Sequence, residues 1–419
     1  MDTLPPRPRY LSLDALRGIA VMGILAMNII VFAMPEFAYV NPRVWGGTSP
    51  ADIAAWATAY VLVDGKMRGL FSLLFGASML IVIDAAEARG ADGPQLHLRR
   101  MGWLLVFGLA HYYLIWFGDI LTLYAVIGSF AFLARHGSAG QLIRWGVLSL
   151  IIGFLILAAI SISILMTASA ATAPHAGVEA GNAYKAMISG LGVPGMASTA
   201  TELSVYRSGY ADILAYRMGE RASGPLLMVL LSGCEALGLM LMGMGLCKSG
   251  FLTGMRSRAS YARTAAICYM IGLPPTMLLA FWCITSGFDP IVTFNATFTW
   301  SIPSRIILTL AHASAALWLI DRFAGSRMIA RIAAAGRAAF SNYLGTSIVM
   351  TTIFYGYGLG LFGEVSRAQA YLFVAGGCVV MLAWSKPWLD RFAYGPLEWL
   401  WRSLARGGPQ EMRKRRTAE

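Results

Sequence analysis

The chain has 419 residues, of which 57% are hydrophobic and only 13% charged, with a mean hydropathy of +0.62. A soluble domain carries about 25% charged residues, and several apolar runs here reach the ~20 residues that cross a ~30 Å hydrocarbon layer, so a soluble fold is excluded. The net charge of +12 sits between the apolar runs, as in cytoplasm-facing loops, which argues against nucleic acid as a partner.

Met1 to Tyr10 is short and proline-rich. The run after it shows no small-residue cleavage site at signal-peptide distance, so it is expected to stay as the first span. Spans are predicted near 13–34, 67–86, 101–117, 119–135, 142–167, 225–247, 264–285, 296–320, 338–357 and 368–385. The third and fourth form a helical hairpin around Phe117-Gly118-Asp119. The expected fold class is an all-α polytopic membrane protein. It has about ten transmembrane helices in one domain, 1–419, with both ends inside and a long outer loop between helices 5 and 6.

Arginine and lysine placement sets the orientation. With the N-terminus inside, 23 of the 33 cations fall on inner segments, from Arg7 and Arg9 to the eight between Lys386 and Arg416. Eight fall on outer segments, among them Lys66, Arg68 and Arg221, and two, Arg17 and Arg305, fall within spans. Every inner loop holds at least two cations, as the positive-inside rule requires.

Two outer segments are long. Residues 35–64 pass through a Gly-Gly turn into Ala51-Asp52-Ile53-Ala54-Ala55-Trp56. Residues 168–224 end in a mixed stretch with Tyr206, Tyr210 and Tyr216, which reads as a lid, an interfacial helix or a plain connector. Residues 386–419 read as a cytoplasmic interfacial helix and basic tail. The five cysteines lie in or beside apolar runs without CxxC spacing, so no metal site or disulfide framework is expected.

Charges inside spans cost about 2.5–3.5 kcal/mol each at a helix centre and so usually have a task. Asp14 and Arg17 open the first span three residues apart, close enough to pair. They read either as a local ion pair or as part of a site at the inner face. His111 lies toward the outer half of the third span and Asp119 follows across the turn. A histidine is a proton acceptor near neutral pH, and a carboxylate can fix its tautomer. The other readings are a core histidine and a helix-capping aspartate. Tyr112, Tyr113 and Tyr124 add hydroxyls. Glu235 sits mid-span, and Arg305 and His312 share a helix face seven residues apart; a Glu235–Arg305 pair would serve as structural glue or as part of a site. No nucleotide-binding, HExxH or GxSxG motif is present.

Several blocks resemble the YeiB-like membrane proteins, long classed as a domain of unknown function. They are Arg9-Tyr10-Leu11-Ser12-Leu13-Asp14-Ala15-Leu16-Arg17-Gly18-Ile19-Ala20, Leu70-Phe71-Ser72-Leu73-Leu74-Phe75-Gly76, Gly108-Leu109-Ala110-His111 with Gly118-Asp119-Ile120-Leu121 and Tyr124-Ala125, Gly336-Arg337-Ala338-Ala339-Phe340-Ser341-Asn342-Tyr343-Leu344, and the stretch Gly395 to Arg402. That family is grouped with transmembrane acyltransferases such as heparan-α-glucosaminide N-acetyltransferase and the sugar O-acyltransferases. The resemblance implies a bacterial inner-membrane protein that takes an acyl group from cytoplasmic acyl-CoA, such as acetyl-CoA, with His111 as catalytic base.

On that reading Asp119 orients His111. Asp14, Arg17, Arg99, Arg100 and Arg337 hold the donor, Asn342 or Tyr343 stabilises an oxyanion or lines the pocket, and Tyr124, Glu235, Arg305 and His312 complete the candidate binding residues. No metal cofactor is expected. The partners considered are membrane lipids, a small-molecule or glycan acceptor and a second copy of the chain as a homodimer. Two other functions fit intramembrane His, Glu and Arg: a proton-coupled carrier of a small metabolite and a non-catalytic lipid- or quinone-binding protein. The absence of a sequence repeat and of paired broken spans argues against the carrier.

Overall fold

A computed structural model describes residues 10–414. The inner cations Arg7 and Arg9 and the tail residues Arg415 and Arg416 lie outside the described residues. Apart from one isolated bridge between Phe392 and Arg413, the regular structure is helical.

α1 (Leu11–Ala33) leads to a turn that ends at Ser49. The Ser49 hydroxyl accepts the Asp52 N–H and Pro50 occupies the first turn, which together start α2 (Pro50–Leu62). α2 breaks at 63–65 and continues as α3 (Lys66–Glu87), the two making a 38-residue apolar stretch. Asp92 caps α4 (Gly93–Ala110), which runs into a single π turn, His111–Ile115, before α5 (Leu121–Ala131) returns. A Ser138–Gln141 capping box opens α6 (Ala139–Ala171). Three short helices follow, α7 (Val178–Ser189), α8 (Ala197–Tyr206) and α9 (Tyr210–Met218). α10 (Gly224–Lys248), α11 (Arg258–Thr285) and α12 (Pro290–Asn295) lead into a second π turn, Ala296–Trp300, and then α13 (Ile302–Arg322). α14 (Arg327–Arg337), α15 (Ala339–Phe354), α16 (Arg367–Arg391) and α17 (Pro396–Arg406) complete the chain.

Among the described residues, seven helical stretches are long and apolar enough to cross a bilayer: α1, α2 with α3, α6, α10, α11, α13 and α16. The predicted spans 101–117, 119–135 and 338–357 fall on the shorter α4 with its π turn, α5 and α15. The region 35–64 differs from its expected place as a long outer segment. α2 reaches inward until the Leu62 carbonyl meets His312 Nε2 at 2.9 Å, well along α13. The continuity with α3 is hidden in the sequence because Asp64, Lys66 and Arg68 interrupt the apolar pattern.

Glycines set the close helix contacts. A Cβ on Gly18 would collide with the Ile332 carbonyl, and one on Gly336 with the Asp14 carbonyl, so α1 and α14 touch backbone to backbone. Gly76 and Gly243 do the same for α3 and α10, against the carbonyls of Met240 and Leu73. α6 and α11 present leucine and isoleucine outward along their length, as lipid-facing helices do.

Candidate functional site

The α4–α5 hairpin brings His111 and Asp119 together. Gly108 permits this: a Cβ there would lie 2.5 Å from the Thr122 nitrogen and 3.0 Å from Asp119 Oδ2. The π turn beginning at His111 adds a residue to the helix and re-aims the ring, a device frequent at functional sites. His111 Nδ1 lies 2.8 Å from Asp119 Oδ1, and Asp119 Oδ2 accepts the Thr122 N–H at 2.8 Å. Both side chains are buried, His111 to 1% exposure and Asp119 to 4%. An ionised carboxylate only accepts, so it places the proton on Nδ1 and leaves the lone pair on Nε2. Nε2 is buried and has no hydrogen-bond partner among the described residues. The rings of Tyr343 and Trp116 stand 5.2 and 6.2 Å from the imidazole centroid.

A cavity of about 190 Å³ lies on the side carrying the arginine-rich loops. Its mouth holds Arg17, Arg100, Arg337 and Arg402 against one carboxylate, Glu398. Its depth is apolar and aromatic, ending at Ile120, Leu121, Tyr124 and Tyr343. Arg17 is held by Ser78 Oγ at 2.7 Å and by Asp14 at 3.4 Å. Arg100 stacks 4.0 Å from the Trp401 ring centre, while Trp401 Nε1 donates to the Arg100 carbonyl at 2.9 Å. Glu398 accepts the N–H groups of Phe340 at 2.7 Å and Ser341 at 3.1 Å, which docks α17 against the start of α15. Burial, reinforced by Arg406 and Arg17, holds the Arg402 guanidinium below its ordinary pKa despite Tyr394 and Glu398. That direction reflects first the loss of water around the guanidinium.

A second cavity, of about 680 Å³, lies on the other side of the hairpin. Asp119, Thr122, Tyr112 and Phe117 line it from the hairpin, Asp64 and Arg68 from the break between α2 and α3, and Glu235 and Arg305 from α10 and α13. Arg305 pairs with Glu235 at 2.5 Å and Arg68 approaches the same carboxylate at 3.4 Å. Tyr39 donates to Asp64. At the rim Arg221 bridges Glu36 at 2.6 Å and Glu202 at 2.7 Å. The 168–224 segment covers the hairpin: Tyr112 donates to the Arg221 carbonyl at 2.8 Å and Tyr210 to the Leu114 carbonyl at 2.9 Å. One turn serves both cavities, with Asp119 lining the outer and Ile120 the inner.

The sequence candidates divide accordingly. Arg17, Arg100, Tyr124, Arg337 and Tyr343 line the inner cavity, and Asp14 stands beside Arg17. Glu235 and Arg305 line the outer one. Four lie elsewhere. His111 itself lines neither cavity and meets the outer one only through Asp119. Arg99 is exposed and lines neither cavity. His312 has both ring nitrogens against the carbonyls of Leu308 and Leu62, where it holds the end of α2. Asn342 donates to Ala335 and Ser385 and accepts from Trp384, so its amide is fully occupied. Sequence reasoning missed Asp64 and Arg68, placed on outer segments, and Trp401 and Arg402, read as interfacial. The signal for the first pair was Gly65 inside a charged run.

The fold and the paired cavities define a polytopic membrane protein with a cavity on each side of the hairpin that carries a buried histidine–carboxylate pair. The chain belongs to the YeiB-like DUF418 family. Residues 246–408 match the family described as "Protein of unknown function (DUF418)". The chain is 32% identical to YxaH of Bacillus subtilis (strain 168) over 426 residues, covering 96% of each. It is 29% identical to YeiB of Escherichia coli (strain K12) over 401 residues, covering 94% of this chain and 96% of the relative. A 39.9 kDa protein from the amylase 3' region of Bacillus acidopullulyticus is 32% identical over 128 residues, 30% of this chain and 34% of that one. No solved structure matches.

Proposed function

We propose that the protein is a transmembrane acyltransferase that takes an acyl group from acyl-CoA in the inner cavity and delivers it to a hydroxyl or amine in the outer one. The observation that carries this reading is the unpartnered Nε2 of His111, buried behind Asp119 at the turn whose residues line both cavities. Arg17, Arg100, Arg337 and Arg402 suit phosphate groups, because guanidinium matches phosphate oxygens in a bidentate fork. The apolar depth suits the acyl end. The acceptor oxygen or nitrogen forms a bond to the thioester carbonyl carbon, and the carbon–sulfur bond breaks. His111 Nε2 takes the acceptor proton and returns it to the departing thiolate, while Asp119 holds the ring and steadies the imidazolium. Tyr343 lines the inner cavity and flanks the imidazole, which brings the wall of that cavity to the ring. Bacterial relatives support the bacterial inner membrane as the site of action.

The test is a thermal shift of purified protein with acetyl-CoA and longer acyl-CoAs against CoA-free controls, followed by acyl-CoA hydrolysis. A shift that weakens on Arg17→Ala and grows smaller with salt is expected, with hydrolysis falling about 10²–10⁴-fold on His111→Ala. No shift at any chain length, in protein shown to be folded, overturns it. The break at 63–65, with Asp64 and Arg68 beside Glu235 and Arg305, favours a second reading, a proton-coupled carrier. A carrier moves labelled solute into proteoliposomes without any acyl donor.

A further inference from the structure

The outer cavity is not walled by helix on every side. α6 and α10 are in tight contact through their inner halves: Gly146 faces the Gly238 carbonyl, and Ser149 Oγ donates to the Cys234 carbonyl at 2.8 Å. Gly153 against Cys234 is the outermost of these contacts. Beyond it the helices take different neighbours. α6 leans on the π turn 296–300, with Ser161 Oγ 2.6 Å from Thr299 Oγ1. α10 leans on the hairpin, where Gly224 is pressed against the Tyr112 hydroxyl. The helices therefore splay apart, and the outer cavity lies between them.

The residues along this opening line the cavity and yet are exposed. Ile160 is 38% exposed, Leu227 and Leu231 are each 50% exposed, and Phe298 is 38% exposed. They continue the apolar, lipid-facing surface of α6 and α10. The base of the same cavity is polar, with Arg68 and Arg305 around Glu235 and with Asp119. A slit apolar at its lips and charged at its base matches one kind of ligand, a molecule with a polar head and a hydrocarbon tail. A polar solute would gain nothing from the apolar slit, and an apolar one would leave the base desolvated and unmatched.

We infer that the outer cavity is a lateral binding site for a membrane lipid whose headgroup carries hydroxyls or an amine. The headgroup lies on the Arg68–Glu235–Arg305 cluster and the tail leaves between α6 and α10 into the outer leaflet. Mixed carboxylates and guanidiniums at the base suit a headgroup that both donates and accepts hydrogen bonds. The binding site stands on its own geometry, and its role as the acceptor site rests on the acyl-transfer reading.

The test uses full-length protein in mild detergent and native mass spectrometry of retained lipid. It is done first as purified, then after delipidation and re-exposure to a total polar lipid extract. Leu231→Trp and Ile160→Trp fill the slit from its two walls and leave the polar base untouched. Thermal melting shows whether each variant is folded, so one surviving variant suffices. The wild type is expected to retain one lipid per chain, with occupancy falling at least about tenfold in the slit-filled variants, equivalent to ~1.4 kcal/mol of affinity. Equal retention in folded variants, or no retention by the wild type, overturns the proposal. Acyl-CoA binding at the inner cavity is read in the same samples. Its loss with lipid binding intact removes acyl transfer and leaves the lipid site standing. Acyl transfer to free glycerol or glucosamine as fast as to the extract, and unaffected by filling the slit, overturns the lipid as acceptor.

Discussion

Asp119 uses its two oxygens for two tasks, one on His111 and one on the Thr122 N–H at the start of α5. Substitutions separate them. Asp119→Ala removes the cap as well, and is expected to cost about 1–2 kcal/mol of stability. Asp119→Asn keeps an oxygen for Thr122 but turns an NH2 group toward His111. Nδ1 must then accept, the proton moves to Nε2, and the base is lost with the fold intact. Melting temperature near wild type for Asp119→Asn, with acyl-CoA turnover as low as in His111→Ala, is the expected pair of measurements. Glu235 offers a second contrast. It neutralises Arg305 and Arg68 in a buried setting, so Glu235→Ala leaves uncompensated cations and is expected to destabilise by about 3–5 kcal/mol. Glu235→Gln keeps one hydrogen-bond acceptor and is expected to melt between wild type and Glu235→Ala.

At the scale of elements, the site depends on helices that approach closer than side chains allow. The glycines of the Leu16-Arg17-Gly18 and Gly336-Arg337 blocks let α1 and α14 meet, which places both arginines at the inner cavity mouth. Gly243 serves the α3–α10 crossing beneath the Arg68–Glu235 contact. Gly243→Val is therefore expected to prevent stable accumulation of the protein, since the Leu73 backbone has nowhere to move. Gly102→Ala on α4 meets nothing within 4 Å, and is expected to be neutral or stabilising by up to ~1 kcal/mol through helix propensity. Expression level and melting temperature of the two variants check both statements. The break at 63–65 works in the opposite way. It ends a helix partway along a long apolar stretch, so the Leu62 carbonyl needs His312, and a histidine that looks like a site residue in the sequence becomes the cap of a broken span.

At the scale of the molecule, orientation decides which cavity sees the cytoplasm. Arginines crowd one end and the 168–224 segment covers the other. An impermeant maleimide added to intact cells is expected to label His175→Cys and to leave Ala324→Cys unlabelled until the membrane is opened; both positions are exposed. Labelling in the reverse order would invert the donor and acceptor sides. The sequence alone determined the membrane class, the hairpin, the proximity of His111 and Asp119 and the family, because span length, charge asymmetry and near-neighbour spacing are local properties of a chain in lipid. It did not show that Asn342 is fully bonded, that Arg99 points away, or that Arg68, Trp401 and Arg402 belong to the chambers. Those facts depend on which helix faces meet. A charge beside an apolar run has the same local pattern whether it faces water or a cavity, and only tertiary packing chooses between them.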